Sequence, residues 1–124
     1  MNVDVKEKAV SFLQLVVSNR IREAYQQYIS ASFRHHNPYF PGDADSLMLA
    51  MEENASQSPA KILDIKLVIQ EVEKVVVYSH IRQNQGDPGA AAVHIFRFEN
   101  GKIVEMWDIG QPVPEESKNE NGMF

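Results

Sequence analysis

The spacing of apolar residues changes once along this chain, from a helical period in its first half to a period of two after Lys61. Asp4 has the acceptor side chain of a helix N-cap, and apolar residues follow it at helical spacing. We predict a helix from Asp4 and, after a joint at Ser18-Asn19, a second helix or a bent continuation. A third helix is predicted with Asp43 or Asp45 as its cap. The helical part therefore precedes any sheet.

After Lys61 the alternation predicts four strands separated by turn residues. In the first of them the odd-numbered residues from Leu63 to Ile69 are predicted to share the drier face. Residues 84–89 are rich in turn formers, and Asn100-Gly101 is the favoured sequence of a type I′ hairpin turn. We predict an α+β fold, with helices on a continuous antiparallel sheet. A strongly curved sheet of this kind leaves a pocket between itself and the helices.

Residues 30–42 contain Pro38 and Pro41, which disfavour helix before them, together with several aromatic and imidazole rings. We predict a structured loop, and the pattern leaves open a short strand leading into it. His36 and Asn37 lie where a loop can direct a side chain across a pocket mouth. The alternative is that both side chains hydrogen-bond the loop backbone.

The 124 residues suffice for one core, and we expect a single domain over residues 1–114 with a mobile polar tail over residues 115–124. The formal net charge of -5 gives no support to a nucleic-acid-binding surface. No window approaches the roughly 18 apolar residues of a membrane span, so we expect no membrane association. The lack of cysteine excludes disulfide scaffolds, thiol nucleophiles and cysteine-ligated zinc, and it fits a cytoplasmic location.

Three histidines and one aspartate are the candidates for acid–base chemistry. His36 lies in the loop, whereas His80 and His94 interrupt apolar strands. Each strand histidine either lines a pocket or is a hydrogen-bonded residue of the core or surface. Asp108, near the end of an apolar strand, is either a partly desolvated general base or a solvent-facing strand end.

The register of the last hairpin decides which acid faces His94. Counting outward from Asn100-Gly101 without a bulge pairs His94 with Trp107, on the same face as Glu105. A bulge of one residue reverses the faces and brings Asp108 to the side of His94. The sequence leaves both registers open.

Metal, phosphate and nucleophile motifs are weak or missing. His36, His80, His94 and Asp108 could supply metal ligands, but their spacing matches no short metal-binding motif, so we predict no metal. No serine lies in a Gly-x-Ser-x-Gly elbow, and no glycine-rich phosphate loop occurs. These observations exclude hydrolase triads and nucleotide enzymes.

Three stretches resemble the SnoaL-like polyketide cyclase group of the NTF2-like superfamily: His36-Asn37-Pro38, residues 94–108 and Gln111-Pro112. The resemblance covers essentially residues 4–114, and residues 94–108 are its more specific part. It implies a cone-shaped barrel of N-terminal helices on a curved, mostly antiparallel sheet, a deep pocket, and a homodimer packed through the sheet. It also implies a cofactor-free intramolecular aldol condensation in which an Asp acts as acid and base.

Two residues depart from this resemblance, because His94 stands where relatives often have Asp and Met106 where they often have His. Our leading hypothesis is a small-molecule enzyme of the aldol-cyclase or enolisation type with Asp108 as proton acceptor. His36, His80 and His94 would polarise the substrate carbonyl or orient the base. The residues expected to line an apolar substrate pocket are Asn37, Tyr39, Met51, Tyr78, Phe96 and Trp107.

Two further hypotheses belong to other functional classes. The first is a non-catalytic protein that binds a hydrophobic small molecule in the same cone; an Asp108 that faces solvent would favour it over the enzyme. The second is a dimeric adaptor whose exposed sheet face carries the function. The adaptor requires outward side chains at Val75, Val77, Ile81, Val93 and Ile95.

Overall fold

The structure is a computed structural model that describes residues 4–124. Within this range the helices are α1 (Val5–Val17), α2 (Ile21–Tyr28) and α3 (Ala44–Gln57). The strands are β1 (Ile29–His35), β2 (Ile62–Glu71), β3 (Lys74–Arg82), β4 (Ala90–Glu99) and β5 (Lys102–Pro112). The strands form one sheet in the order β1-β5-β4-β3-β2, and β1 is parallel to β5 while the other neighbours are antiparallel. The predicted α+β fold is confirmed.

The helices begin and end where local chemistry predicts. The Asp4 side chain accepts a hydrogen bond from the Lys6 amide at 3.0 Å and caps α1. Asp43 caps α3 by accepting from the Ser46 amide at 2.8 Å. Asn19 has a φ of 63°, which breaks the helical path and separates α1 from α2. No helix of residues 4–124 is long and apolar enough to cross a membrane.

Residues 29–35 form a full strand, where the sequence left open only a short one. β1 runs parallel to β5, with Ile29 opposite Ile103 and His35 opposite Met106. Phe33 and His35 are buried, so tertiary packing fixes a strand that its own polar composition does not predict. The predicted loop is shortened to residues 36–43.

One face of the sheet packs against the helices, and we call it the inner face. It carries Val75 and Val77 of β3, Phe96 of β4 and Met106 of β5, all buried. Phe12 of α1 meets Phe96 edge-on, with 5.8 Å between the ring centroids. Because Val75 and Val77 lie in this core and Ile81 shares their face, the outward placement that the adaptor hypothesis requires is wrong for all three.

A bulge in β2 reverses the alternation of its inward-facing and outward-facing side chains. The register shifts between Ile65 and Leu67, where one extra residue inverts the side-chain directions. Ile65 and Val68 therefore both pack on the core, whereas Leu67 and Ile69 are 55% and 57% exposed. The prediction that the odd-numbered residues 63–69 share one face is wrong for this reason.

The opposite side of the sheet, which we call the outer face, carries a patch of apolar side chains that are partly or largely exposed. It includes Leu67, Ile69, Val76, Tyr78, Val93, Ile95, Trp107 and Ile109. The end of the chain lies against it, since the Tyr78 hydroxyl donates to the Met123 carbonyl and the Phe124 ring stacks on His80. Residues 115–124, for which composition predicts mobility, thus reach the outer face at their C-terminal end.

Candidate functional site

A bulge in the β4–β5 hairpin decides which acid lies beside His94. The register shifts just before Phe98, so that β5 has one extra residue at Val104. Beyond this bulge His94 pairs with Asp108. Of the two registers that the sequence leaves open, the structure has the bulged one, and the pairing of His94 with Trp107 does not occur.

An apolar cavity of about 250 Å³ lies between the inner face and the helices. Its apolar wall includes Phe12, Val16, Leu47, Met51, Leu63 and Met106. Its polar lining consists of Asn37, Asn54, Lys61 and His94. Such a cavity, with a few polar groups on an apolar wall, is typical of a small-molecule site.

Asp108 lines a recess beside the cavity, and the two spaces share Asn37, Ile81 and His94 as lining residues. The Asn37 side-chain amide donates to Asp108 Oδ2 at 3.2 Å. Asp108 is partly exposed, and no hydrogen bond from residues 4–124 reaches its Oδ1. The carboxylate is therefore held at one oxygen and free at the other.

Hydrogen bonds within the loop after β1 hold the Asn37 side chain so that it points to Asp108. Asn37 Oδ1 accepts from the Tyr39 amide at 3.0 Å, and the Asn37 amide donates to His35 Nδ1 at 3.1 Å. Because Nδ1 accepts, Nε2 of His35 carries the ring proton and donates to the Pro41 carbonyl at 2.6 Å. Both alternatives predicted for Asn37 therefore occur together, since its side chain hydrogen-bonds the loop backbone and also reaches the recess.

His94 is buried at the junction of the cavity and the recess. Burial lowers its pKa below the ordinary value of 6.5, and the Asp108 carboxylate opposes that shift. At neutral pH the ring is therefore a neutral imidazole. Its Nδ1 is buried and has no hydrogen-bond partner among residues 4–124. Phe96 lies behind the ring, nearly parallel to it at 6.1 Å, and supports His94 from within the core.

His36 lies on the outer face and away from the cavity, in contrast to its predicted catalytic position. Its Nε2 donates to Glu105 Oε2 at 2.5 Å, and its ring stacks on Trp107 at 4.9 Å. Arg34 and Arg97 also donate to Glu105, at 3.2 and 3.0 Å. These donors lower the Glu105 pKa to about 2, His36 contributing most.

Three other predicted site residues also belong to the outer face. His80 Nε2 donates to the Pro88 carbonyl at 2.7 Å, and Tyr78 contacts the end of the chain. Trp107, stacked on His36, shares that face. Alternation in β3 and β5 directs these side chains away from the cavity. Tyr39 lines the recess but is 86% exposed.

Sequence reasoning missed two polar residues of the cavity, Asn54 and Lys61. Asn54 lies in the last turns of α3 and Lys61 just before β2, so the turn between them brings both to the cavity wall. Neither belongs to a motif, and a lone Lys before a strand is ordinarily a solvated residue. Among residues 4–124 no group of three or more His, Asp or Glu side chains is placed to hold a metal ion.

No protein-family model matches the chain, and no curated protein matches it in sequence. Solved structures match it in shape. An NTF2-like protein of unknown function from Cytophaga hutchinsonii superposes with a TM-score of 0.72 at 15% sequence identity, over 90% of this chain and 94% of that chain.

Two further structures carry functional names. A candidate isomerase of the SnoaL-like family from Agrobacterium tumefaciens has a TM-score of 0.66 at 12% identity, over 85% of this chain and 98% of its own. A candidate polyketide cyclase from Sinorhizobium meliloti has a TM-score of 0.66 at 8% identity, over 81% of this chain and 92% of its own. The chain therefore has the NTF2-like, SnoaL-like fold that its sequence resemblance predicts, and at these identities the likeness shows the fold alone.

Proposed function

We propose that this protein is a small-molecule enzyme that removes a proton from a carbon beside a carbonyl group, with Asp108 as the proton acceptor. The observation that carries the proposal is the pairing of Asp108 with the buried His94 where the recess meets the apolar cavity. An apolar space for the carbon skeleton, a free carboxylate oxygen and a donor for the developing enolate are what this reaction needs.

In the proposed reaction Asp108 Oδ1 takes the proton, and the electron pair of the C–H bond moves onto the carbonyl oxygen to give an enolate. An N–H of the neutral His94 ring donates a hydrogen bond to that oxygen, while Asn37 holds Asp108 through Oδ2. In an aldol condensation the enolate carbon then attacks a second carbonyl of the same molecule. The resulting alkoxide takes the proton back from Asp108, so the reaction balances without a redox partner.

The names of two structural neighbours agree with this reaction class. One is a candidate isomerase of the SnoaL-like family and the other a candidate polyketide cyclase. Fold likeness supports the choice of chemistry to test, while Asp108, His94 and the cavity carry the proposal.

Deuterium exchange measured by NMR tests the proposal. A panel of β-dicarbonyl and enone compounds in D₂O is incubated with the wild type, with Asp108→Asn and with the matched control Asp64→Asn, which changes a carboxylate paired with Lys66. We expect Asp108→Asn to slow exchange on an accepted compound by about 10²-fold or more, the usual contribution of a general base. Equal rates for wild type and Asp108→Asn would refute the assignment of the base.

A non-catalytic binder of an apolar molecule is the second candidate, and one observation favours it. Within residues 4–124, the hydrogen bond to the Asp108 carboxylate comes from Asn37 and none comes from a histidine. If compounds of the panel shift protein NMR signals but none exchanges its protons, binding is the function. In that case Asp108→Asn should leave the affinity for neutral compounds unchanged.

We also propose that two copies of the chain associate through the outer face. Its apolar side chains Leu67, Ile69 and Ile109 are each more than half exposed, and Val93 and Ile95 lie partly exposed between them. A continuous apolar patch on a sheet is a common self-association surface. The cavity lies on the other side of the sheet, so association of this kind leaves the candidate site open.

A further inference from the structure

One cation in the cavity wall has no acidic partner among residues 4–124. Lys61 is partly buried and lines the cavity together with Asn54. Its Nζ donates a hydrogen bond to Asn54 Oδ1. None of the ion pairs formed within residues 4–124 includes Lys61. A partly desolvated ammonium that meets only a neutral amide has an unused capacity for an anion.

Two cations of the neighbouring strands β2 and β4 are paired with carboxylates. Lys66 lies 2.8 Å from Asp64, and Arg97 lies 3.0 Å from Glu105. Lys61 differs from them because it faces an apolar cavity, and burial lowers its pKa since the ammonium loses hydration. A negative group of a bound molecule would compensate for that lost hydration.

Asn54 adds a second donor at the same place. Because its Oδ1 accepts from Lys61, the amide is oriented and its Nδ2 hydrogens remain available beside the ammonium. An ammonium and an amide N–H side by side match the two oxygens of a carboxylate. Of the residues in 4–124 that line the cavity, Lys61 is the one that carries a charge, since His94 is neutral.

We propose that the cavity binds an apolar keto acid, with its carboxylate on Lys61 and Asn54 and its reactive ketone toward Asp108. The ketone half of this inference rests on the proposed function. Lys61 precedes the edge strand β2, whereas Asp108 lies on β5, with β3 and β4 between them. The two polar ends are therefore separated by the apolar lining, which receives the carbon skeleton.

A matched pair of probes tests the anion site. The first is an acetylnaphthoate with its acetyl and carboxylate groups on opposite rings, and the second is the corresponding neutral acetylnaphthamide. Dissociation constants of both are measured by titration calorimetry on the wild type, Lys61→Met and Lys61→Arg. Lys66→Met is the matched control, because it makes the same change at a lysine of the outer face.

We expect the wild type and Lys66→Met to bind the carboxylate about tenfold more tightly than the amide, as one charge-assisted contact allows. Lys61→Met should remove this preference while it still binds the amide, and Lys61→Arg should retain it. An equal preference in Lys61→Met and wild type, or no binding of either probe to a folded wild type, overturns the proposal. Thermal unfolding of each variant confirms that it is folded.

The two proposals fail separately in this design. Exchange of the acetyl methyl protons of the neutral amide probe reports on Asp108 without the anion site. If exchange depends on Asp108 but the preference for the carboxylate does not depend on Lys61, the keto-acid inference is wrong. The proposal that the protein is an enzyme with Asp108 as its base is then retained. If the preference depends on Lys61 but no probe exchanges, the carboxylate site stands and the protein binds its ligand without enolising it.

Discussion

Glu105 is a buried carboxylate whose charge is held by three donors, His36, Arg34 and Arg97. Its pKa of about 2 in the folded protein lies below its ordinary value of 4.5. Above pH 4.5 the carboxylate is ionised in both states, and its contacts contribute fully to stability. As the pH falls from 4.5 toward 2, the unfolded chain takes up the proton first, so the free energy of unfolding decreases.

Glu105→Gln should therefore be less stable than the wild type at neutral pH by about 2 kcal/mol, the scale of hydrogen bonds to a charged group. The variant should also lose the part of the acid sensitivity that Glu105 causes between pH 4.5 and 2. Urea unfolding at several pH values measures both effects. Glu99→Gln is the control, since Glu99 is exposed and, within the described residues 4–124, accepts from Arg97 alone. Parallel stability–pH curves for Glu105→Gln and wild type would contradict the prediction.

Neighbouring residues of one loop show what the sequence can and cannot predict about a site. His36 and Asn37 are adjacent, yet His36 bonds Glu105 on the outer face and Asn37 bonds Asp108 at the recess. Residue type predicts that both are polar and hydrogen-bonded. The side of the sheet that each reaches depends on loop dihedral angles set by the packing of β1 against β5, and no local pattern records those angles.

Helix α1 forms one wall of the cavity through Phe12, which is 1% exposed and packs on Tyr25 and Phe96. Phe12→Ala should cost about 3–5 kcal/mol of unfolding free energy, because it removes a buried ring and leaves a void continuous with the cavity. Leu49→Ala on α3 is the control, since Leu49 is 55% exposed and should change stability little. Urea unfolding measures the free energy of unfolding of both variants. Similar losses of unfolding free energy in the two would show that Phe12 is not part of the packed core.

The elements that the sequence predicts well are the ones that local chemistry specifies. The Asp4 cap, the joint at Asn19 and the Asn100-Gly101 turn each depend on a few adjacent residues, and all three are present. The parallel strand β1 and the bulges in β2 and β5 depend on contacts between distant segments. Periodicity assumes an unbroken alternation, so it assigns the wrong face to every residue beyond an unpredicted bulge.

The whole molecule presents two candidate binding surfaces on opposite sides of the sheet, the cavity and the outer face. The end of the chain covers part of the outer face through the Met123 carbonyl and the Phe124 ring. A second copy that binds there must displace these contacts. One hydrogen bond and one aromatic stack together contribute on the order of 1–2 kcal/mol. Truncation after Lys118 should therefore strengthen self-association about tenfold.

Analytical ultracentrifugation over a range of concentrations measures this effect. Ile109→Lys places a charge on the β5 side of the exposed patch and should abolish the dimer, since Ile109 is 63% exposed. Leu49→Lys, at an exposed position on α3, is the matched control. If the dimer persists in Ile109→Lys, or if the truncation does not change the dissociation constant of the dimer, the outer face is not the association surface.

The unpaired residue Val104 determines which side chain of β5 lies opposite His94, independently of residue identity. The same sequence paired without a bulge would place Trp107 there, whereas deletion of Val104 itself would remove the bulge and leave Asp108 in place. Deletion of one residue between Glu105 and Trp107, with the bulge retained, would instead turn Asp108 to the outer face without any substitution. Proteins of the same shape can therefore lose the acidic group from this position in a single genetic event, according to where in the last strand the deletion falls.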